Sequence, residues 1–325
     1  MATDPPDFLL SFVVPLYNTG DCIVKVFDAF RDLPVPGGYE LVLVNDASQD
    51  DTYARAKDII SSMPIPVTLI DMARNFGEHS AVLEGFRHTR GQFVINLDDD
   101  LQNPVEEALR MLDHLRETGA DVVYSYYDEK KHSWFRNMGS WLTNAAATFL
   151  LGKPRDLYLS SFRAHNRELI DRIIQYRGPY PYIDGLILGA TNRIERLLVR
   201  HEPRGGGQSG YTLRKLVRLW LNMFFNFSIM PLRVASLMGA LLCVIGLILL
   251  TIAVVQALFF KVPQVGWSSL MAAVSLFSGS QLLILGVIGE YVGRAYMTVS
   301  GKPQSLVRAV TEHHPRESCV HALSQ

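Results

Sequence analysis

Three consecutive carboxylates followed by an amide, Asp98-Asp99-Asp100-Leu101-Gln102, stand at the end of the apolar run Phe93 to Leu97. Oxygen ligands at this spacing suit a hard divalent cation. Mg²⁺ or Mn²⁺ takes one or two carboxylates and fills its other positions with water and substrate phosphate. If the extended backbone continues past Leu97, alternate side chains share a face. Asp98, Asp100 and Gln102 then converge as metal ligands while Asp99 faces away. Taken alone, an acidic triplet before Pro104 reads more readily as a solvated turn capping a helix. Its neighbours decide.

The elements that must position this triplet alternate regularly. Strands are predicted at Phe8 to Val14 (stopped by Pro15), Glu40 to Val44, Val67 to Ile70, Phe93 to Leu97 and Asp121 to Ser125. Helices are predicted at Asp21 to Arg31, from about Asp50, at Gly77 to Thr89 and at Pro104 to Thr118. Such alternation predicts an α/β fold with a mostly parallel, Rossmann-like sheet covered by helices. Ligands of such sheets bind beyond the carboxyl ends of the strands. The segments there are polar: Pro15 to Asn18, Asn45 to Ser48, Arg74 to His79 and Asp98 to Gln102. None is a glycine-rich phosphate loop, which removes support for dinucleotide binding and P-loop chemistry.

The chain has 325 residues, enough for about two domains, and a net charge of −1 that gives no argument for nucleic acid. Apolar residues gather toward the C-terminus, where Val234 to Phe260 and Trp267 to Ile288 carry no charge. Each run is long enough for a hydrocarbon core of about 30 Å. Arg214, Lys215, Arg218 and Arg233 precede the first run and Arg294, Lys302 and Arg308 follow the second, with Lys261 between them. That asymmetry predicts a multi-pass hairpin with both termini cytoplasmic. Residues 211–230 mix Arg214, Lys215 and Arg218 with Trp220, Phe224 and Phe225 and read as an interfacial amphipathic helix contacting membrane lipid. The predicted organisation is a catalytic domain at 1–210, the interfacial helix at 211–230, a hairpin at 231–295 (about 234–260 and 267–289) and a cytoplasmic tail at 296–325, loose after Lys302. Cys22, Cys243 and Cys319 lack metal-ligand spacing and read as unpaired thiols.

The segments VVPLYN, LVNDASQDDT, ARNFGEHSAVLEGF, INLDDDLQNPVEEAL, SWFRNMGSWLTN and VIGEYVGR, in this order, resemble the family 2 glycosyltransferases that load sugars onto polyprenyl phosphates. Similar members include the bacterial undecaprenyl-phosphate transferases of the aminoarabinose and O-antigen glucosyl types, and dolichyl-phosphate mannose synthases are related. The resemblance implies a GT-A fold, a nucleotide-diphosphate sugar donor, a polyprenyl phosphate acceptor, inversion at the anomeric carbon and residence in the bacterial inner membrane. It also allows a homo-oligomer, a tetramer included.

By matching position, the resemblance implies that Pro15, Tyr17 and Asn18 line the base and ribose pocket and that Asp46 accepts hydrogen bonds from the base. Asp98, Asp100 and Gln102 match the metal and diphosphate site. Arg74, Asn75, Gly77 and His79 precede or open a helix whose N-terminus favours an anion; His79 reads equally as a helix-start residue. Arg163 corresponds to an arginine facing the donor diphosphate. Arg136 and Ser140, four apart on one helical face, correspond to contacts with the acceptor phosphate, and Arg204 opens a glycine-rich loop that closes over both substrates. Relatives commonly carry lysine where Gly210 stands and arginine where Tyr127 stands. Two rivals to the transferase reading are a silent membrane scaffold or nucleotide-sugar sensor and a processive polysaccharide synthase. The latter is disfavoured by the absence of a QxxRW-type motif.

Overall fold

In a computed structural model the described residues are 8–20, 22–127, 157–178, 180–200, 230–259, 266–301 and 303–315. They fall into two compact units, one formed by Met1–Tyr211 with Pro303–Gln325 and the other by Thr212–Lys302.

The first unit is built on β1 (Phe8–Leu16), β2 (Tyr39–Asn45), β3 (Val67–Met72), β4 (Gly91–Asn96), β5 (Val122–Tyr126), β6 (Arg163–Asn166), β7 (Ile194–Leu198) and β8 (Val307–His313). They form one sheet in the order β7-β5-β6-β4-β1-β2-β3-β8. Parallel pairing joins β4, β1, β2 and β3, and also β5 with β7. β6 runs antiparallel to both β4 and β5, and β8 runs antiparallel to β3. Four of these seven pairings are parallel, in keeping with the α/β sheet that alternation predicts, and β6 and β8 make it mixed.

Period-two alternation along β1 divides the core. Leu10, Phe12, Val14 and Leu16 pack against Phe27 and Phe30 of α1 (Cys22–Arg31) on one face. Val13 faces the other way, onto Phe86 of α3 (Glu78–Arg87). Helix α1 buries Ile23, Val26, Phe27 and Phe30, the spacing of a single helical stripe. At Gly85 a β-carbon would stand 2.4 Å from Val13 Cγ1, so α3 lies on β1 at a distance only glycine permits. Helix α2 (Thr52–Ile60) follows β2, and α4 (Glu106–Thr118) carries Glu106 and Glu107 in its first turn, where they complement the helix dipole. Gly119, at φ 61°, ends α4 with its N–H on Leu115 O. Helices α5 (Arg167–Ile173) and α6 (Ile183–Ala190) complete the unit.

Three expectations are corrected. Pro15 does not stop β1, which runs on to Leu16. From Pro15 onward β1 pairs with β2 alone, its register with β4 ending at Val13, and a missing N–H is tolerated where one side is open. Nor is the segment after the membrane region loose: residues 307–313 form the edge strand β8. The third concerns the acidic stretch. β4 ends at Asn96 and Leu101 adopts φ 51°, so the backbone bends and alternation does not extend through Gln102.

The second unit holds α7 (Met230–Phe259) and α8 (Trp267–Val299). A β-carbon at Gly239 would lie 3.6 Å from Ile284 and one at Gly246 3.5 Å from Phe277, the register of an antiparallel pair. Among the described residues one helix is long and apolar enough to cross a bilayer, over Leu276–Val299. Within α7 the apolar stretch over described residues is Leu232–Ile248, so one crossing helix and not two is counted among the described residues. Helix α8 begins at Trp267, as predicted, and runs past the predicted end at 289 to include Glu290 and Arg294. These pair at i, i+4, with Arg294 Nε donating to Glu290 Oε1 at 2.8 Å. The predicted interfacial helix at 211–230 lies outside the described residues except for Met230.

Candidate active site

The carboxyl ends of β1 to β4 deliver four loops to one crevice, and hydrogen bonds tie the loops to each other. Asn18, at φ 52°, receives Gln49 N–H on Oδ1 at 2.8 Å, and its own N–H donates to Ser48 Oγ at 3.0 Å. Asparagine is among the few side chains that adopt this left-handed conformation readily. Ser48 N–H donates to Asn45 Oδ1 at 3.2 Å and Gly20 N–H to Thr52 Oγ1 at 2.9 Å. Pro15 pairs in register with Val44 beneath these loops, and Tyr17 is exposed above them.

Asp46 is buried, and its two oxygens accept the amides of Phe76 and Gly77 at 2.7 and 2.8 Å. Burial raises its carboxyl above the ordinary range, partly offset by those two amides. The residue expected to meet a base thus also knits the second loop to the third. Gly77, at φ 92°, opens α3 with a conformation that favours glycine. Arg74 and Asn75 are exposed, with the Arg74 guanidinium 4.5 Å over the Phe76 ring. His79 lies edge-on to Tyr182 at 4.9 Å between ring centres. Burial pushes its imidazole down to about 4, against the pull of Asp184 and with help from Arg163. It is therefore neutral near pH 7 and brings hydrogen-bonding capacity rather than charge.

In the acidic loop, the adjacent aspartates take different partners. Ser161 Oγ donates to Asp98 Oδ2 and Thr19 Oγ1 to Asp99 Oδ2, both at 2.5 Å. The Tyr17 amide also reaches Asp99, making it an anchor for the β1 loop. Asp100 Oδ1 accepts the Gln102 amide at 3.1 Å. Asp98 is pushed up to about 6, first by burial and then by Glu78, with Asp100 adding to the rise while Ser161 and Arg163 oppose it. Asp99 is raised by burial and by both flanking aspartates. Glu78, on the first turn of α3, is raised by the protein around it and by Asp184, Asp99 and Asp100, with Arg163 opposing. Its side chain still meets solvent.

Acidic groups here outnumber the guanidinium that faces them, and their crowding is the condition a divalent cation relieves. Among the described residues no three His, Cys, Asp or Glu side chains converge as a complete ligand cluster. Two carboxylates and an amide from Asp98, Asp100 and Gln102 leave positions for water and a diphosphate, which is how Mg²⁺ is commonly held. The donor set fits.

Behind the acidic loop, β6 brings Arg163 to the crevice floor. It is 3% exposed, pairs with Asp184 at 3.3 Å and donates from Nε to Ser160 O at 2.5 Å, while its Nη1 has no hydrogen-bond partner. Tyr124 donates to Asp184 Oδ1 at 3.0 Å, burial and Asp184 having pushed its phenol well above the ordinary value. Next along β6, His165 shares a hydrogen bond with Asn96 Oδ1 at 3.0 Å, and Asn96 in turn donates to Ser161 O. Tyr127 lies 3.2 Å from Ser160 Oγ in a cluster of hydroxyls that includes Ser125.

The structure thus ties the Asn18 and Asp46 loops to their neighbours by hydrogen bonds, Asp46 holding Gly77, and sets His79, Asp98 and Asp100 within electrostatic reach of Arg163 or of each other. Sequence reasoning missed Glu78, Ser161, Asp184 and Tyr124. Glu78 adjoins His79 and Ser161 lies two residues before Arg163, a signal that was present, whereas Asp184 and Tyr124 are joined to Arg163 only by folding. Arg136, Ser140, Arg204 and Gly210 lie outside the described residues.

A family model described as glycosyl transferase family 2 matches residues 11–174. The undecaprenyl-phosphate 4-deoxy-4-formamido-L-arabinose transferase of Proteus mirabilis is 32% identical, over 93% of this chain and 93% of its own. The enzymes of that name from Klebsiella pneumoniae (strain 342) and Sodalis glossinidius are 31% and 30% identical, each over 95% of this chain and 96% of their own. Among solved structures, glucosyl-3-phosphoglycerate synthase from Mycobacterium tuberculosis in complex with Mg²⁺ and uridine diphosphate superposes with a TM-score of 0.50 at 20% identity, over 66% of this chain and 76% of that one. The same enzyme in complex with Mn²⁺, uridine diphosphate and phosphoglyceric acid gives the same values. That likeness shows a GT-A fold. With its mixed sheet, its acidic loop at the end of β4 and relatives alike over nearly their whole length, the chain belongs to glycosyltransferase family 2.

Proposed function

We propose that this chain transfers a sugar from a nucleoside-diphosphate donor to undecaprenyl phosphate or a related polyprenyl phosphate, with inversion at the anomeric carbon. The carrying observation is the likeness to undecaprenyl-phosphate transferases over more than nine-tenths of both chains. The acidic crevice supports the donor half of the reading. In it, Pro15, Tyr17, Asn18 and Asp46 take the base and ribose, and Arg74, Asn75, Gly77 and neutral His79 take the sugar and diphosphate. Arg163, buried with one nitrogen unpartnered, has the donor capacity that a diphosphate oxygen fills.

Asp98, Asp100 and Gln102 would hold Mg²⁺ or Mn²⁺. When bound, the ion supplies charge neutralisation for the departing diphosphate. A phosphate monoester has a second pKa of about 6, so the acceptor is largely dianionic at neutral pH and is already a nucleophile. Its oxygen bonds to the anomeric carbon as the bond to the donor diphosphate breaks, and a single displacement inverts that carbon. The protein's task is to bring two anions together. Arg136, Ser140 and Arg204 are assigned to the acceptor phosphate. The helix over Leu276–Val299 attaches the enzyme to the bacterial inner membrane, with the catalytic unit on the cytoplasmic side. Copies assemble as a homo-oligomer, a tetramer by the family resemblance.

The test is turnover by the purified full-length protein with Mn²⁺, undecaprenyl phosphate and a panel of labelled nucleotide sugars. Lipid-linked sugar is expected with one of them. Asp100→Ala should lower turnover by roughly 10²- to 10³-fold, the scale of losing an electrostatic stabiliser of the transition state. Absence of lipid-linked product with every donor overturns the reading, and light scattering in detergent checks the assembly.

A further inference from the structure

We propose that Arg308, on the edge strand β8, is a positioning residue for the donor nucleotide, bracing both loops that hold the base and ribose. The inference rests on the reading that this crevice takes a nucleotide. Arg308 arrives from the far end of the chain, after the membrane segment, and its guanidinium feeds two hydrogen-bonded branches.

The first branch runs through Asp71, a carboxylate buried at the end of β3. Arg308 Nη1 lies 3.1 Å from Asp71 Oδ2, and Asn45 Nδ2 donates to Asp71 Oδ1 at 2.7 Å. A carboxylate accepts only, so the contact fixes which way the Asn45 amide points. Asn45 Oδ1 is thereby left to receive Ser48 N–H at 3.2 Å, and Ser48 Oγ receives the Asn18 amide at 3.0 Å. The second branch runs through the loop after β3. Arg308 Nη2 donates to Ala73 O at 2.9 Å, while Ala73 N–H donates to Leu306 O at 2.7 Å. Three residues further on, the Phe76 and Gly77 amides close onto Asp46.

Both branches end on donor-pocket residues, Asn18 and Asp46. The first branch also spans backbone that needs holding: Ala47, between Asn45 and Ser48, has φ 52°, a conformation that is costly for a residue with a β-carbon and no side-chain polar group. Arg308 itself is 61% exposed and Asp71 4%. The pair therefore adds little by attraction alone; its role is to fix the Asp71 carboxylate and, through it, an amide orientation.

The experiment is calorimetric titration of full-length protein in detergent with Mn²⁺ and uridine, guanosine, cytidine or adenosine diphosphate in turn, paired with steady-state kinetics. Arg308→Ala should raise the Kd of the preferred diphosphate and the KM of its sugar about five- to tenfold, the scale of one or two lost hydrogen bonds. kcat should stay within about twofold, as expected for lost ground-state binding, and the KM for undecaprenyl phosphate should not move. Arg308→Lys should recover part of the affinity. Should the alanine variant fail to fold, Arg308→Gln carries the test by keeping a donor without the charge. Equal nucleotide affinity in wild type and variant, or a matched fall in kcat, overturns the brace and leaves the transferase reading standing. If the wild type binds none of the four diphosphates, the nucleotide reading falls and takes the brace with it.

Discussion

Strands β6 and β8 both run against the sheet, and each carries an arginine at the crevice end, yet their surroundings are opposite. β6 is four residues long, lies between β4 and β5, and buries Arg163, Ala164 and His165. β8 is seven residues long and lies at the sheet edge with every second residue exposed. Arg163 is enclosed together with its acid, Asp184, whereas Arg308 is open and only its acid, Asp71, is buried. A charge enclosed on all sides cannot exchange its partner for water, so any loss is felt by the fold and the chemistry together. An edge arginine can be replaced by water at one end, so its loss is felt mainly in what its partner was holding.

The largest expected effect is therefore at β6. Arg163→Met removes the cation and leaves Asp184 buried with the Tyr124 hydroxyl. Breaking a buried pair from one side costs about 3–5 kcal/mol, and turnover should vanish along with the melting temperature's margin. Thermal melting and turnover are the measurements. A variant that melts with the wild type would contradict the claim that β6 holds an enclosed ion pair, and Arg163→Lys should fall between the two because a point charge replaces a fork.

The comparison sharpens next along the pH axis. Beside β8, Glu84 accepts Ser305 Oγ at 2.5 Å and Arg87 Nη1 at 2.7 Å, and Arg87 Nη2 also donates to Gln304. Burial raises the Glu84 carboxyl, but hydrogen bonds from His88, Ser305 and Arg87 outweigh it and bring the group down to about 2 from 4.5. A depressed carboxylate stabilises the fold above its unfolded pKa. That contribution, ~3 kcal/mol by linkage, is lost as pH falls from about 4.5 toward 2. In β6, burial pushes His165 down to about 3 from 6.5. The unfolded chain therefore takes up a proton that the folded one refuses, and stability falls from near pH 6.5. Glu84→Gln should flatten the lower part of the acid-denaturation curve and leave the upper part unchanged. A change confined to the upper part would assign the two regions the wrong way round.

The same two strands show what the sequence makes legible. Val307, Ala309, Thr311 and His313 alternate with Arg308, Val310 and Glu312, an edge-strand pattern in plain view. Its place after a long apolar segment, far in sequence from every other strand, makes it read as tail. β6 offered no pattern: Arg163-Ala164-His165-Asn166 has a polar residue at three of four positions. Its burial is arranged by partners such as Asp184 and Asn96, which only the fold brings near. At the acidic loop, residue types and motif order were informative, while the alternation argument failed at the bend around Leu101. Side-chain periodicity holds only as far as the strand does.

The smallest expected effect lies four residues from Arg308. Glu312 occupies the same exposed row of β8 and contacts His314 at 3.5 Å, both side chains being more than half exposed. Such a surface pair contributes little, so Glu312→Ala should leave stability within about 0.5 kcal/mol and nucleotide affinity unchanged. This variant separates two explanations of any Arg308 phenotype. If removing a side chain from this row loosens β8 as a whole, Glu312→Ala and Arg308→Ala will weaken nucleotide binding alike. If the Asp71 and Ala73 contacts carry the effect, only Arg308→Ala will, because Glu312 lies opposite Thr68, four residues short of the Met72 end of β3 where the loop begins.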